Sequence, residues 1–375
     1  MSALLDVFHQ VDLEPVSGDG VFITSRDGRR YLDFYGGHAV ALLGYAHPRL
    51  LRVLEGQARQ LFFQSNLFDL EVRRLAAERL VALCPPGLTR AFFVNSGAEA
   101  NENALRAAFL ATRRRRVVAI AGGFHGRSAA ASAATDGSAS WYAFPATPFA
   151  VTQVPFDDVS ALEAAIDTDV AAVILEPVQG LAGARPVSAA FMQAARSMTR
   201  RAEALLILDE VQCGAGRSGA PFAASVYRVE PDIPTAAKCL AGGFPVGAMV
   251  VREEIAATIR GDLGTTFGGG PMACALVAEV LAVLVEDDLC ARVRRLSARM
   301  REECRVGPVT AVRGMGFLLG LATSRPAKEV LAELRERGIL AGGSNDPRCV
   351  RLLPPLILQD AHVDRLVAAL KEIGG

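Results

Sequence analysis

Long hydrophobic spans, a net charge and any regular cysteine or histidine spacing are all missing from this 375-residue chain. Lysine plus arginine and aspartate plus glutamate both count 40, so no overall field draws the chain to nucleic acid or to an anionic membrane. Hydrophobic residues make up 51% of it, yet no uninterrupted apolar stretch is long enough to cross a bilayer. Its first fifteen residues carry Asp6, Asp12 and Glu14 and lack the basic start of a signal peptide, so a cytoplasmic protein is expected. Seven cysteines, an odd number without CxxC spacing, argue against a disulfide framework or a zinc ribbon, and the five histidines form no ligand pattern. No metal site is expected. The length suits a large core divided into two or three domains.

What is present is organised around residues 204–247. Ala204-Leu205-Leu206-Ile207-Leu208 is an apolar, β-prone run too short for a helix, and it breaks into Asp209-Glu210-Val211-Gln212. That predicts a buried strand ending in a carboxylate. Alternation along the strand sends Asp209 and Val211 to one side and Glu210 to the other. Downstream, Pro231-Asp232-Ile233-Pro234-Thr235-Ala236-Ala237 leads to Lys238, set among small and apolar residues that continue to Gly247. An average lysine is solvated or snorkelling. A desolvated one is a Schiff-base nucleophile, because burial favours the neutral amine. Paired with a strand-end acid, the second reading points to pyridoxal phosphate (PLP), with Lys238 forming an imine and Asp209 keeping the pyridine nitrogen protonated.

The rest of the chain reads as follows. Asp27-Gly28 between Val21-Phe22-Ile23 and Tyr31-Leu32 predicts a hairpin, and Tyr35-Gly36-Gly37-His38-Ala39 a loop. Two amphipathic helices are expected between Pro48 and Cys84, interrupted near Gln64-Ser65-Asn66 and stopped by Pro85-Pro86-Gly87. Ala91-Phe92-Phe93-Val94 followed by Asn95-Ser96-Gly97-Ala98-Glu99 is a strand, a tight turn and a helix start. It is either a phosphate site built on free helix N–H groups or an ordinary Ser96 cap with Glu99 closing a capping box. The arginines at 113–116 suit a solvated helix end. Further strands at 117–121, 150–154 and 170–175, with a helix near 159–166, predict an α/β fold with a parallel sheet and right-handed crossovers. Strand ends are followed by Ser96, by Phe124-His125-Gly126-Arg127, by Glu176-Pro177-Val178-Gln179-Gly180 and by Asp209, and ligands of open α/β sheets bind beyond such ends.

Residues 263–270 form a Gly-rich loop whose threonines are open to a turn role, before a long helix from Pro271 to Glu286. From about 289 the pattern gives helix, strands near 309–312 and 317–322, helix at 327–336, strand near 350–353 and helix at 361–373. This α+β unit is expected to pack with the N-terminal hairpin. The division expected is 1–45 joining a small domain, 46–275 a large cofactor-binding domain, and 276–375 the remainder of the small domain.

Phe93-Val94-Asn95-Ser96-Gly97-Ala98-Glu99-Ala100-Asn101-Glu102, Phe124-His125-Gly126-Arg127, Leu208-Asp209-Glu210-Val211-Gln212, Ala237-Lys238 with Gly242-Gly243-Phe244-Pro245-Val246-Gly247-Ala248, and Thr265-Thr266-Phe267-Gly268-Gly269 resemble the class III aminotransferases of PLP fold type I. The resemblance runs nearly end to end. Through Tyr35-Gly36-Gly37-His38-Ala39-Val40 and Arg351-Leu352-Leu353-Pro354-Pro355-Leu356 it looks most like the acetylornithine or succinylornithine aminotransferases of arginine biosynthesis. It implies that Lys238 carries the cofactor and shuttles a proton, that Asp209 pairs with the pyridinium nitrogen, and that Val211 and Phe124 sandwich the ring. Gln212 would reach the phenolic oxygen, and Glu176 would orient groups nearby. Ser96, Gly97 and Ala98 would hold the phosphate, reached by Thr266, helped by Thr265, from a neighbouring subunit, so that a homodimer with shared sites is implied. Arg127 would grip the distal carboxylate of an ω-amino substrate and Arg351 the α-carboxylate of glutamate or 2-oxoglutarate, a task that suits a bidentate guanidinium. The chain departs from the family pattern at Leu181, where many members have a glutamate that masks the second arginine, and at Gly270 and Leu263. Other ω-aminotransferases, acting on 4-aminobutyrate, ornithine or acylated lysine, and a racemase or aminomutase on the same scaffold, are the competing readings.

Overall fold

The computed structural model describes residues 3–7, 10–259 and 261–374, so the outer ends of the expected small domain, residues 1–2 and 375, lie outside them. Its centre is a seven-stranded sheet running, edge to edge, Arg90–Val94, Gly247–Val251, Ile233–Ala236, Leu205–Asp209, Val170–Leu175, Arg116–Ile120 and Ala150–Val154. Gly247–Val251 runs antiparallel to both its neighbours, and the other adjacent pairs are parallel. Successive residues divide between two cores, as the pleat requires. Val117, Ala119, Ile174 and Ile207 pack with Ala104, Leu105 and Ala108 of the helix Gly97–Thr112. Val118, Ile120, Leu206 and Leu208 pack in the larger core with Phe191 and Met192 of the helix Ala189–Arg201. Apolar on both faces, Val170–Leu175 is buried along its whole length. The expected α/β architecture with a mostly parallel sheet is the one observed.

Two strands of that sheet, Ile233–Ala236 and Gly247–Val251, are not among those expected from the sequence. Ile233–Ala236 holds Pro234, a residue that argues against a central strand. It is tolerated because pairing with Gly247–Val251 begins only at Thr235, so at Pro234 the strand has one neighbour, Leu208 of the parallel strand.

Both chain ends build the second layer. Pro15–Asp19, Phe22–Ser25 and Arg30–Asp33 form an antiparallel set turning at Asp27-Gly28, and Ile339–Leu340 adds in parallel beside Leu32 and Asp33. Val309–Met315, Leu318–Thr323 and Cys349–Leu352 form a separate antiparallel sheet. The expected loop at 35–39 is a single left-handed turn instead, with φ of 57° at Gly36, 56° at Gly37, 63° at His38 and 72° at Ala39. Glycine adopts this region freely, but at His38 and Ala39 it is strained.

Glu210 points away from Asp209, as the alternation requires, and its carboxylate accepts the N–H groups of Ala223 and Ala224. Burial pushes its pKa from 4.5 up to about 7. The folded state therefore keeps a proton that the unfolded chain gives up, and the group's stabilising effect is complete below about 4.5 and lost as pH rises through about 7. The stability advantage of wild type over Glu210→Gln should shrink by up to about 1.4 kcal/mol per pH unit across that window, measured by urea unfolding at fixed cofactor concentration. A pH-independent difference would contradict it.

Candidate active site

The sequence motifs meet at the N-terminus of Gly97–Thr112. Ser96 is its cap, the Oγ accepting the Glu99 N–H at 3.1 Å. The Glu99 carboxylate accepts the N–H and Nδ2 of Asn95, both at 3.0 Å, so the capping box closes one residue early. Neither the Gly97 nor the Ala98 N–H has a partner among the described residues, which leaves an anion-binding end exposed alongside the cap. A Cβ on Gly97 would lie 2.6 Å from Val211 Cγ1 and 3.4 Å from Ala237 Cβ, and one on Gly126 2.7 Å from Ala98 Cβ. Four separate strand ends thus close on one spot, and glycine is what lets them approach.

Lys238 follows Ala237 directly. It is half-buried, opens the short helical turn Lys238–Ala241 and has φ of 43°. A non-glycine residue in that region stores strain of about 1–3 kcal/mol, which is usually retained only at functional sites. Its amine makes no hydrogen bond among the described residues.

Asp209 is buried and held by three neighbours. One carboxylate oxygen accepts Asn101 Nδ2 at 2.7 Å and lies 2.7 Å from His125 Nδ1, while the other accepts the Val211 N–H at 3.1 Å. Asn101 is itself fixed, its Oδ1 accepting Thr235 Oγ1 at 2.7 Å. The other ring nitrogen of His125 is buried without a partner. Glu176 accepts the N–H groups of Phe124 at 2.9 Å and Gly180 at 3.1 Å. Burial, with the Asp209 charge nearby, pushes its carboxyl up to about 7. Gln212 packs on Gly180, where a Cβ would strike its Oε1 at 1.6 Å.

Arg351, in Cys349–Leu352, is buried, its Nε donating to the Gly343 carbonyl at 2.5 Å. Its Nη1 is buried with no partner, and burial lowers its pKa. It lines a cavity of about 870 Å³ together with Asp33, Tyr35, His38 and Tyr45. Lys238 and Asp209 lie outside that lining, so the cavity opens beside Arg351 and not at the Lys238–Asp209 pair.

The class-III aminotransferase family profile matches residues 8–373. The chain belongs to this family. The aminotransferase is 43% identical to the acetylornithine aminotransferase of Mycobacterium bovis over 363 residues, covering 95% of this chain and 90% of the relative. A solved N-acetylornithine aminotransferase from Stenotrophomonas maltophilia superposes with a TM-score of 0.84 at 31% identity, covering 97% and 96%. The ornithine aminotransferase of Toxoplasma gondii, whose structure shows partial occupancy of PLP at its active site, superposes at 0.93 with 28% identity, covering 99% and 92%.

Other expected residues of the aminotransferase sit further out. Arg127 is exposed, its guanidinium 5.0 Å from the Trp141 ring centre. Thr265 Oγ1 accepts the Gly268 N–H at 3.1 Å and lies 3.4 Å from Asn95 Nδ2, while Thr266 is exposed. Leu181 offers its carbonyl to the Asn345 N–H at 2.8 Å, on the loop that also presents Gly343 to Arg351. Asn101, His125 and His38 were not singled out from the sequence. Asn101 could have been found, since it falls one helical turn beyond Gly97 and so on the face that carries the cradle.

Among the described residues no helix is long and apolar enough to cross a membrane.

Proposed function

We propose that this aminotransferase uses PLP to move the δ-amino group of N-acetylornithine, or N-succinylornithine, to 2-oxoglutarate, as a cytoplasmic homodimer with shared sites in arginine biosynthesis. The observation that carries the substrate reading is Arg351: a buried guanidinium with one edge held by Gly343 and Nη1 left open, in a chain this similar to acetylornithine aminotransferases. A buried donor without a partner is costly, and a carboxylate satisfies it. Leu181 supplies no masking acid, and no carboxylate hydrogen-bonds to Arg351 among the described residues.

The chain fits the cofactor. The open N–H groups of Gly97 and Ala98, with Ser96, suit its phosphate; Val211 and Phe124 suit the two ring faces; Gln212 suits the phenolic oxygen. When bound, PLP supplies a sink for the electron pair left as the substrate C–H bond breaks. Asp209, kept in place by Asn101 and His125, would keep a proton on the ring nitrogen. Lys238 Nζ would hold the cofactor and carry the proton that leaves the substrate carbon, while Glu176 fixes the Phe124 backbone. Arg127 takes the carboxylate of the acylated amine and Arg351 that of the 2-oxo acid. Thr266, exposed on its loop next to Phe267, would reach the phosphate in a partner's site.

The test is the first half-reaction, followed as loss of the long-wavelength absorbance of the holoenzyme. N-acetylornithine should react at least about tenfold more efficiently than ornithine or 4-aminobutyrate, since a site built around one polar group discriminates by at least that much. Equal efficiency with ornithine would move the assignment to an ornithine aminotransferase. No reaction with any amine would remove transamination.

A further inference from the structure

Arg217 is among the largest fully buried side chains of the protein, at 0% exposure. It lies in the turn after the Asp209 strand, its N–H donating to the Gly214 carbonyl at 3.2 Å and its own carbonyl accepting the Phe317 N–H at 2.8 Å. Its guanidinium reaches two other parts of the chain. Nη1 donates to the carbonyl of Pro354, three residues past Arg351, and Nη2 to the carbonyl of Ala39 at 3.3 Å. Nε has no partner. Among the described residues no carboxylate forms an ion pair with it, and Asp33 acts on it only at longer range.

That arrangement is an expensive way to join two carbonyls. An ionised group removed from water without a paired charge is destabilising, and burial lowers this guanidinium's pKa to about 10, which still leaves it charged at neutral pH. What it joins are the two walls of the Arg351 cavity. Ala39 ends the left-handed turn that carries His38, and His38 and Arg351 both line the cavity. The walls also touch directly: the Leu353 N–H donates to the Phe34 carbonyl at 2.6 Å, and a Cβ on Gly36 would lie 2.6 Å from the Leu353 carbonyl oxygen. Their contact leaves no room for slack, while the turn itself is strained at His38 and Ala39 and would relax if released.

We infer that Arg217 is a positioning residue for the substrate carboxylate: by holding the Ala39 and Pro354 carbonyls on one planar fork, it sets the strained His38 turn against the Arg351 segment and fixes where Arg351 receives its carboxylate. The inference rests on the reading of Arg351 given above. A lysine at 217 keeps the buried charge but not the fork, so it cannot hold both carbonyls at once. Methionine keeps the bulk and loses both.

The experiment titrates holoenzyme with glutarate, an unreactive dicarboxylate, by calorimetry, for wild type, Arg217→Lys, Arg217→Met and Arg351→Lys. The glutarate Kd should rise at least about tenfold in Arg217→Met and by a smaller factor in Arg217→Lys, with the cofactor absorbance unchanged, because small displacements of a binding group are costly. The KM for 2-oxoglutarate should rise in parallel, while the rate of the amine half-reaction at saturation holds. If Arg217→Met does not fold, the Arg217→Lys titration decides. A Kd within about twofold of wild type in a folded Arg217 variant, alongside a weakened Arg351→Lys, overturns the positioning role alone. An unchanged Kd in Arg351→Lys overturns the carboxylate reading of Arg351 instead.

Discussion

Replacing Lys238 with alanine is expected to leave a folded protein whose transamination rate has fallen by more than about 10⁴-fold, the upper end of what one positioned acid–base group contributes. No other group stands in for it. The chain has three lysines, and the other two, Lys328 and Lys371, are exposed on helices of the C-terminal unit. Because alanine does not relieve the positive φ at 238, the fold should change little, and thermal unfolding without cofactor should be close to wild type. Borohydride reduction of wild-type holoenzyme followed by peptide mapping gives the companion result: the pyridoxyl group on Lys238. With only three lysines the map is decisive, and a label on Lys328 or Lys371 would end the assignment. Added methylamine offers a further check, since a small free amine should restore part of the proton transfer to Lys238→Ala if the missing function is that of an amine.

Glycine and apolar runs made much of this architecture readable. The helix from Pro271 to Glu286 is apolar and buried along most of its length and opens with proline after a Gly-rich loop, and it forms over the expected residues because local and tertiary preferences agree. Ser96-Gly97-Ala98 reads as a cap or as a phosphate cradle; the structure shows the cap, with the two following N–H groups left without a partner among the described residues. The rest was hidden for identifiable reasons. Ile233–Ala236 is masked by Pro234, which sits where only one neighbour is paired. The glycines before His38 predict only a loop, whereas the segment is one tight left-handed turn held by Arg217. Arg217 acts through a partner 178 residues away, Ala39, and such a distance leaves no local pattern to read, whereas Asn101, whose partner Asp209 is 108 residues away, is marked only by its place one helical turn beyond Gly97.

Asp209→Asn should lower turnover by at least about 10³-fold with little change in KM, since it removes an electrostatic term expressed during bond breaking rather than in binding. The substitution is well tolerated by the geometry. The new amide oxygen can take the place of the oxygen that meets the Val211 N–H, leaving the amide nitrogen toward Asn101 and His125. A neutral His125 can shift its proton to the unpartnered ring nitrogen and accept from that amide at Nδ1, so one of the two conflicts disappears. Asn101 Nδ2 keeps its second acceptor, the His125 carbonyl at 2.7 Å. Folding and cofactor retention should therefore survive, and what is lost is the negative charge that keeps the ring nitrogen protonated. That charge serves the amine half-reaction and the 2-oxo acid half-reaction alike. Stopped-flow absorbance on each half-reaction separately should show losses of similar size, in contrast to Arg351 variants, whose effect belongs to the 2-oxo acid half-reaction. A loss confined to one half-reaction, or turnover near that of wild type, would place Asp209 outside the role given to it.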